Sequence, residues 1–238
     1  MLENALLGAL PRNDQAALAS QLEAVTLTFG DPLHVSGEAI RFVYFPEGAL
    51  VSLLVTAAGH PALEVGLIGP EGMAGLSAAL HAGLSPVEAL VQGTGRAQRM
   101  AAPQFRVAVR RSQALQRGLF RYGEALLAQV SQTAACNRFH SIEQRLARWL
   151  LSSSDRMQQE HFHMTQAFLG HMLGVRRVGV TEAAQMLQRA QLIRYHRGDV
   201  DILDRSGLQQ AACGCYALTK AIDDRLLQRA KDAHPEMP

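Results

Sequence analysis

The 238-residue sequence predicts an α+β protein in which strands come first and helices come last. Three observations predict this order. Apolar and polar residues alternate in short runs of the N-terminal half, apolar residues recur every three or four positions in the middle, and two short amphipathic stretches meet at Gly174. Alternation is the signal of half-buried strands, whereas spacings of three and four indicate helices.

Residues 1–111 are predicted to form an antiparallel β-roll, or jelly-roll. After a short helix near Asp14 to Ala24, four runs alternate apolar and polar side chains between turn residues; they are FVYF, LVSLLVT, ALEVGLI and EALVQ. Several short strands separated by Gly, Pro and Asp are typical of this architecture.

Glycines recur every three residues in this region, at Gly66, Gly69, Gly72 and Gly75. Glycine is the default residue where φ must be positive, so the favoured interpretation is a series of turns in a tightly wound roll. The alternative is a cavity for a small effector.

A long helix is predicted from about Ser112 to Cys136, and a hinge follows it between Asn137 and Ser141. Residues 112–140 therefore form a segment of their own. We expect one apolar stripe of this helix to be the seam of a two-stranded coiled coil between two copies of the chain. Its members are Leu115, Leu119, Tyr122, Leu126, Val130 and Thr133. The alternative is a helix that packs this stripe on its own roll.

The segment from Thr165 to Ile193 predicts two helices joined by a tight turn at Gly174. The first helix has an apolar face at Phe168, Leu169, Met172 and Leu173, and the second has one at Val180, Ala184 and Leu187. Polar side chains on the other face of the second helix are in the arrangement by which a helix-turn-helix contacts DNA. An ordinary helical hairpin with a solvated face is the alternative.

The candidate DNA contacts follow from this geometry. Arginine at the start of the second helix can hold guanine O6 and N7 together, and residues at the start of the first helix can meet phosphate. Val178 is expected to touch a thymine methyl and Glu182 to accept from cytosine N4. The full candidate set is Thr165, Gln166, Arg176, Arg177, Val178, Gly179, Thr181, Glu182 and Arg197.

A short hairpin is predicted directly after the second helix. The sequence RYHRGDVDILD has apolar residues on either side of Arg197-Gly198, which is a turn signal. Helix, turn, helix and hairpin together make a winged helix-turn-helix, which we place at residues 141–238. A helical extension is predicted at its C-terminal end from Leu218, Ile222, Leu226 and Leu227.

The C-terminal pattern resembles the Crp/Fnr family of bacterial transcription regulators. It consists of Gly174, Arg177 at the start of the second helix, and MLQRAQLI leading into the wing. The resemblance implies a homodimer that regulates transcription from an inverted-repeat operator. It also implies that the roll is a cyclic-nucleotide-binding-like sensor domain and that the long helix is a dimerisation helix. The family's recognition helix often has Arg-Glu and a later Arg, but here Val178 and Glu182 occupy the Glu and later Arg positions, so the operator sequence does not carry over.

The resemblance also locates a possible effector pocket, at Gly72, Gly75, Leu76, Val87 and Glu88. Cyclic-nucleotide sensors of the family use a Glu for the ribose and an Arg-Ser pair for the phosphate. Leu76 stands at the Glu position and Val87-Glu88 at the Arg-Ser position. A phosphate beside Glu88 without an arginine would be repelled, so cyclic AMP is not the expected ligand, although a different small effector is possible.

Composition limits the remaining classes. With 48% hydrophobic and 18% charged residues, the chain is long enough for two globular domains. The sequence shows no signal peptide and no membrane-spanning run, which predicts a cytoplasmic protein. The net charge of +2 makes the distribution of arginine more informative than its sum.

No cofactor and no metal is expected from the sequence. The cysteines Cys136, Cys213 and Cys215 are too few and too scattered for a disulfide framework or an iron–sulfur cluster. Cys213-Gly-Cys215 has tight spacing, and His161 and His163 are close in sequence. Neither pair supplies the four ligands of a structural zinc site.

Catalysis has no support from the sequence, so we expect no enzyme. A cupin-like metalloenzyme would need clustered ligands, but His34, His60 and Glu64 do not have the usual spacing. A protein-binding adaptor with a degenerate helix-turn-helix is the stronger alternative, and it would lack salt-sensitive affinity for any duplex. The expected partners are double-stranded DNA, a second copy of the chain and, for an activator rather than a repressor, RNA polymerase.

Overall fold

The computed structural model describes residues 3–80 and 83–232, with side chains up to residue 225. These residues divide into two compact units. The first contains the described residues up to 53, those from 67 to 128, and those from 222 onward. The second contains residues 54–66 and 129–221.

The elements follow one another from a β-rich half to a helical half. The strands are β1 (Glu23–Leu27), β2 (Pro32–His34), β3 (Phe42–Pro46), β4 (Leu50–Val55), β5 (Leu63–Ile68), β6 (Glu88–Gly93), β7 (Gly95–Ala101), β8 (His161–His163), β9 (Ile193–His196) and β10 (Asp199–Ile202). The helices are α1 (Ala5–Gly8), α2 (Arg12–Ala19), α3 (Ala102–Arg111), α4 (Gln113–Phe139), α5 (Ile142–Met157), α6 (Gln166–Leu173), α7 (Arg177–Arg189), α8 (Arg205–Ala211) and α9 (Cys215–Asp232). A short 3-10 helix covers Leu76–Ala78.

The roll consists of two sheets, with strand orders β1-β7-β3 and β2-β6-β4-β5. The four alternating runs form β3, β4, β5 and β6, so the prediction of strands there is confirmed. The sequence analysis missed β7, whose GRAQRMA sequence lacks a clear alternation. It pairs antiparallel with both β1 and β3, and Arg99 on β7 forms an ion pair of 2.8 Å with Glu23 on β1.

The core of the roll also contains the first half of α4. Leu115, Leu119 and Tyr122 are at most 3% exposed and belong to the same cluster as Phe45 and Phe105. The prediction that they form the dimer seam is therefore wrong, and the alternative of a helix packed on its own roll is correct for these three residues. Periodicity reveals that a face is buried but not which surface buries it.

The other members of the predicted stripe have different surroundings. Thr133 is buried within the chain and is not available as a seam residue, whereas Leu126 is half-buried and packs against the roll core. Val130 is half-buried and remains available to a partner. Three large apolar side chains of α4 are instead exposed, namely Phe120 and Leu127, each 67% exposed, and Phe139, which is 75% exposed.

Helix α5 begins with a complete capping box. The Ser141 hydroxyl accepts from the Gln144 backbone N–H, and the Gln144 side chain accepts from the Ser141 backbone N–H. Ser152, Ser153 and Ser154 lie inside α5, where they are buried, and the helix continues to Met157. Tertiary packing overrides the weak helix propensity of serine here.

The winged helix-turn-helix is confirmed by α6, α7 and the sheet β8-β10-β9. Arg197 and Gly198 form a two-residue turn with φ of 51° and 96°, as tight hairpins require. The sequence analysis missed β8, which pairs with β10 as the third strand. Across the described part of the chain, no helix combines the length and apolar character needed to cross a bilayer.

Candidate nucleic-acid interface

The turn between α6 and α7 is fixed by a cap and two glycines. The Thr165 hydroxyl caps α6 by accepting from the Phe168 backbone N–H at 3.2 Å. Gly174 ends the helix with φ of 62°, a left-handed conformation. A Cβ on Gly170 would lie 3.0 Å from the Val175 carbonyl oxygen, so the backbone of the turn packs closely against this position of α6.

Helix α7 presents two faces, as predicted. Val180, Ala184 and Leu187 are fully buried against the rest of the unit. Arg176, the N-cap residue, and Arg177, the first helical residue, are exposed. Val178 and Glu182 also face solvent, which places the predicted base contacts Arg176, Arg177, Val178 and Glu182 on one accessible surface.

Gly179 has a packing role, and its role as a DNA contact stays a prediction. It is half-buried, and a Cβ at this position would lie 2.9 Å from Cδ1 of Ile142. The glycine therefore lets α7 approach the start of α5. In the sequence, Gly179 follows Arg177 and Val178 and precedes Val180, and nothing in this order indicates a contact with Ile142.

A cleft of about 400 Å³ lies between the start of α6, the exposed face of α7 and the wing. It brings together Thr165, Gln166, Arg177, Thr181 and Arg197, which the sequence placed on three separate elements. The remaining lining residues are Ala167, Ala184, Gln185, Gln188, Tyr195 and Gly198. Gln188 was missed, although its spacing of eleven residues from Arg177 puts both on one face of α7.

The side-chain carbonyl of Gln166 organises one wall of this cleft. It accepts from the Thr181 hydroxyl at 2.8 Å and from Nε of Arg177 at 3.4 Å. The Arg177 backbone carbonyl lies 3.1 Å from the same hydroxyl. The contact with Gln166 through Nε thus helps to orient the Arg177 guanidinium.

Tyr195 joins the wing to α7 and to the segment that precedes α6. Its hydroxyl donates to the Met164 carbonyl at 2.6 Å, and its backbone N–H donates to the Gln188 side chain at 2.8 Å. Burial raises the pKa of Tyr195 to about 12, so the hydroxyl remains a neutral donor at physiological pH. The wing is thereby held beside α7.

The acidic residues of β10 are paired with basic side chains. Asp201 accepts from His161 at 2.9 Å and from Arg194 at 3.1 Å, and these hydrogen bonds lower the pKa of its carboxyl. Asp199 contacts Nδ1 of His163 at 2.8 Å. His161 and His163 on β8 thus each contact a carboxylate on the neighbouring strand β10. The Arg194–Asp201 ion pair balances part of the negative charge of β10 beside the exposed Arg197.

The predicted effector residues occupy turns and core contacts. A Cβ on Gly72 would clash with the Tyr122 ring, which means that the ring covers this glycine directly. Gly75 has φ of 96° and precedes the 3-10 helix, whose first residue, Leu76, packs against the roll core. Val87 and Glu88 are half-buried at the start of β6. Among the four regularly spaced glycines, Gly75 alone has a positive φ and Gly66 lies within β5, so the interpretation of the whole series as turns is only partly correct.

The three cysteines, expected to be scattered, converge in the second unit, and that expectation is wrong. Sγ of Cys136 and Sγ of Cys213 are 3.4 Å apart, and Cys215 lies 3.5 Å from Nδ1 of His140. The hydrogen bond between the first two thiols lowers the pKa of Cys136 and raises that of Cys213, because the shared proton stays on Cys213. The sequence analysis did not include His140 among candidate ligands.

Comparisons with known proteins agree with this architecture. Residues 144–211 match the Crp-like helix-turn-helix domain. No curated protein matches the sequence significantly. Similar solved structures include FixK2 from Bradyrhizobium japonicum, with 12% identity over 81% of this chain and 98% of that one, at a TM-score of 0.68.

Two further solved structures show the same fold. TTHB099, a transcriptional regulator of the CRP family from Thermus thermophilus, has 17% identity over 79% of this chain and 96% of its own, with a TM-score of 0.66. The c-di-GMP responsive global regulator CLP from Xanthomonas campestris has 13% identity over 81% of this chain and 99% of its own, with a TM-score of 0.60.

Proposed function

Because the chain has the fold of Crp/Fnr transcription regulators and carries their Crp-like helix-turn-helix DNA-binding domain, we propose that it reads a specific operator as a dimer. The recognition helix is α7, and the base-reading residues are those at its exposed start. The wing and the start of α6 contact the sugar-phosphate backbone on either side of it.

The observation that carries this proposal is the cleft beside α7. Arg177, Thr165 and Arg197 come from separate elements and line one concave surface, which the hydrogen bonds of Gln166 and Tyr195 hold in place. Arginine side chains supply bidentate donors for guanine and positive charge for phosphate. A helical hairpin with a merely solubilising face would not need this preorganisation.

We assign the dimer contact to the open face of α4. Phe120 and Leu127 are one heptad apart, so both can occupy the same seam position in successive heptads. Half-buried Val130 lies three residues after Leu127, which is the spacing between the two seam positions of one heptad. A symmetric dimer presents two α7 helices to successive major grooves, ~34–36 Å apart along the duplex. The operator of this protein is therefore an inverted repeat.

The effector of the roll, if the protein has one, is not cyclic AMP. Leu76 points its apolar side chain into core packing at the position expected for a ribose contact, and Glu88 adds negative charge at the position expected for a phosphate contact. Thermal-shift measurements with cyclic AMP should show no stabilisation. A concentration-dependent rise of the melting temperature would contradict this assignment.

Selection of bound duplexes from a random pool, with purified full-length protein, tests the proposed function. The proposal predicts enrichment of one inverted repeat whose half-sites are about 10 base pairs apart or a multiple of that spacing. Binding to the selected duplex should weaken steeply as salt rises, since phosphate contacts release counterions. A pool without enrichment, combined with salt-insensitive binding, would instead support a protein-binding adaptor.

A further inference from the structure

The chain contains three cysteines in all, and the fold brings every one of them to the same place. Cys136 is fully buried near the end of α4, Cys213 follows α8, and Cys215 opens α9. Cys136 and Cys213 are 77 positions apart in sequence. Cysteine packs well as an isolated small apolar residue. Packing alone therefore does not explain why all the thiols of this chain meet at one buried point.

A fourth donor completes the group. His140 lies four residues after Cys136, so both side chains project from the same face of the chain where α4 ends. One ligand atom from each of Cys136, His140, Cys213 and Cys215 lies within 4.8 Å of the other three. The three cysteines are at most 4% exposed, whereas His140 is half-buried.

We propose that Cys136, His140, Cys213 and Cys215 bind one structural Zn²⁺ ion. Three thiolates and one imidazole are a standard donor set for tetrahedral structural zinc. This inference does not rest on the proposed function, because its primary readout is metal content rather than DNA binding.

The distances have the scale of a mononuclear site. Zn–S bonds of ~2.3 Å and Zn–N bonds of ~2.0–2.1 Å give tetrahedral edges of about 3.8 Å between sulfurs and about 3.5 Å between sulfur and nitrogen. The corresponding separations are 3.4 Å for Cys136 to Cys213 and 3.5 Å for Cys215 to His140. A multinuclear iron–sulfur cluster would hold its thiolates farther apart, because the cluster itself lies between them.

A disulfide accounts for fewer of these contacts. Oxidation of Cys136 and Cys213 would leave the Cys215 thiol and the His140 ring beside each other without a shared role. It would also leave unexplained why the Gln132 side chain donates to Cys215 at 3.0 Å. An N–H donor to a ligand sulfur is the kind of outer contact that orients a metal-bound thiolate.

The charge around the group suits an anionic metal centre. Zn²⁺ with three thiolates and a neutral imidazole carries one net negative charge, after the thiols release their protons to solvent. Arg145 and Arg148 are buried on α5 and interact electrostatically with the thiol group. In the described part of the chain, the Nε atoms of both arginines lack a hydrogen-bond partner. Buried cations of this kind require nearby negative charge.

The zinc ion would act as a clamp within the second unit. It would join the end of α4 to the connection between α8 and α9, directly before the Ser141 cap that begins α5. Structural zinc contributes folding free energy, so the metal would stabilise the unit that carries the recognition helix.

Metal analysis of untagged full-length protein, purified under reducing conditions and reconstituted with ZnCl₂, tests the site. We expect one zinc per chain after removal of loosely bound metal, and tetrahedral Co²⁺ spectra with thiolate-to-metal charge transfer when CoCl₂ replaces zinc. Protein that holds no zinc after reconstitution, a multinuclear iron cluster, or a Cys136–Cys213 disulfide in protein kept reduced would each overturn the proposal.

Variants assign the ligands without relying on a single fold-sensitive change. Cys215→Ser should lose the zinc, whereas His163→Ala, which changes an exposed histidine of the wing, should keep it. Gln132→Leu retains all four ligands and should weaken zinc affinity by roughly 10- to 100-fold in a chelator competition, the range typical of outer contacts. Full zinc content in folded Cys215→Ser protein would show that the metal is bound elsewhere.

Discussion

Substitutions on the two faces of α4 should have opposite effects, although the two leucines concerned, Leu119 and Leu127, are only eight positions apart. Leu119 is 3% exposed and packs in the roll core, whereas Leu127 is 67% exposed. Leu119→Ala should therefore lower the free energy of unfolding without changing the dimer dissociation constant under native conditions. Leu127→Asp should instead raise the dimer dissociation constant without changing the free energy of unfolding.

The magnitudes follow from burial. A buried Leu→Ala change typically costs about 2–5 kcal/mol through lost transfer energy and the cavity left behind. Full burial of a leucine side chain contributes about 1.5–3 kcal/mol, and two thirds of Leu127 remains to be buried by a partner. That is about 1–2 kcal/mol per copy and 2–4 kcal/mol per dimer, or roughly 30- to 700-fold in the dissociation constant.

Sedimentation over a dilution series measures the dimer, and urea unfolding measures stability. Leu84→Asp, a change at an exposed leucine of the roll that lies outside α4, is the matched control and should leave both unchanged. If Leu127→Asp leaves the dimer intact while folded Leu119→Ala dissociates, the assignment of the two faces is reversed. The seam would then be the stripe with Leu119 that the sequence predicted.

Three further changes probe single interactions. His34 is buried with Nε2 2.8 Å from the Phe42 carbonyl, and burial lowers its pKa below 6.5, so the unfolded chain binds the proton more readily. The stability that depends on neutral His34 should consequently be fully present above pH 6.5 and fall as the pH drops below it. His34→Gln should flatten this decrease when the free energy of unfolding in urea is plotted against pH. An unchanged decrease would exclude His34 as its source. Ser141→Ala removes the α5 capping box and should cost about 0.5–2 kcal/mol in unfolding followed by the fluorescence of Trp149, the single tryptophan; no loss would mean that the cap is not formed in solution. Arg197→Gly relieves a positive φ of 51° worth about 1–2 kcal/mol, so it should maintain or raise stability while weakening duplex binding, and a loss of stability would contradict the turn assignment.

The recognition helix was predictable from sequence because local periodicity determines its orientation. Val180, Ala184 and Leu187 define a buried stripe, and the residues out of phase with it, such as Arg177, must face solvent. The wing was predictable for a similar reason, since Arg197-Gly198 is a local turn signal between two apolar runs. Each of these features is contained within a short stretch of chain.

Features that depend on distant parts of the chain were not predictable. The apolar stripe of α4 indicates burial, yet only the fold shows that Leu119 faces its own roll. Cys136 and Cys213 are neighbours only after 77 positions of intervening chain have folded, and His140 has no signal of its own in the sequence. Gly179 likewise reveals its packing against Ile142 only in three dimensions.

Affinity for the selected operator measured with Arg177→Ala, beside Arg189→Ala, tests the central claim most directly. Both arginines are exposed on α7, but Arg177 lines the cleft at the start of the helix and Arg189 lies in its last turn. Loss of a bidentate base contact costs about 1–3 kcal/mol per half-site, so Arg177→Ala should weaken binding by roughly 5- to 140-fold per half-site and relax the preferred sequence. Arg189→Ala should leave that sequence unchanged. Equal affinity and an identical preferred sequence for folded Arg177→Ala and the unsubstituted protein would contradict the assignment of α7 as the reading helix.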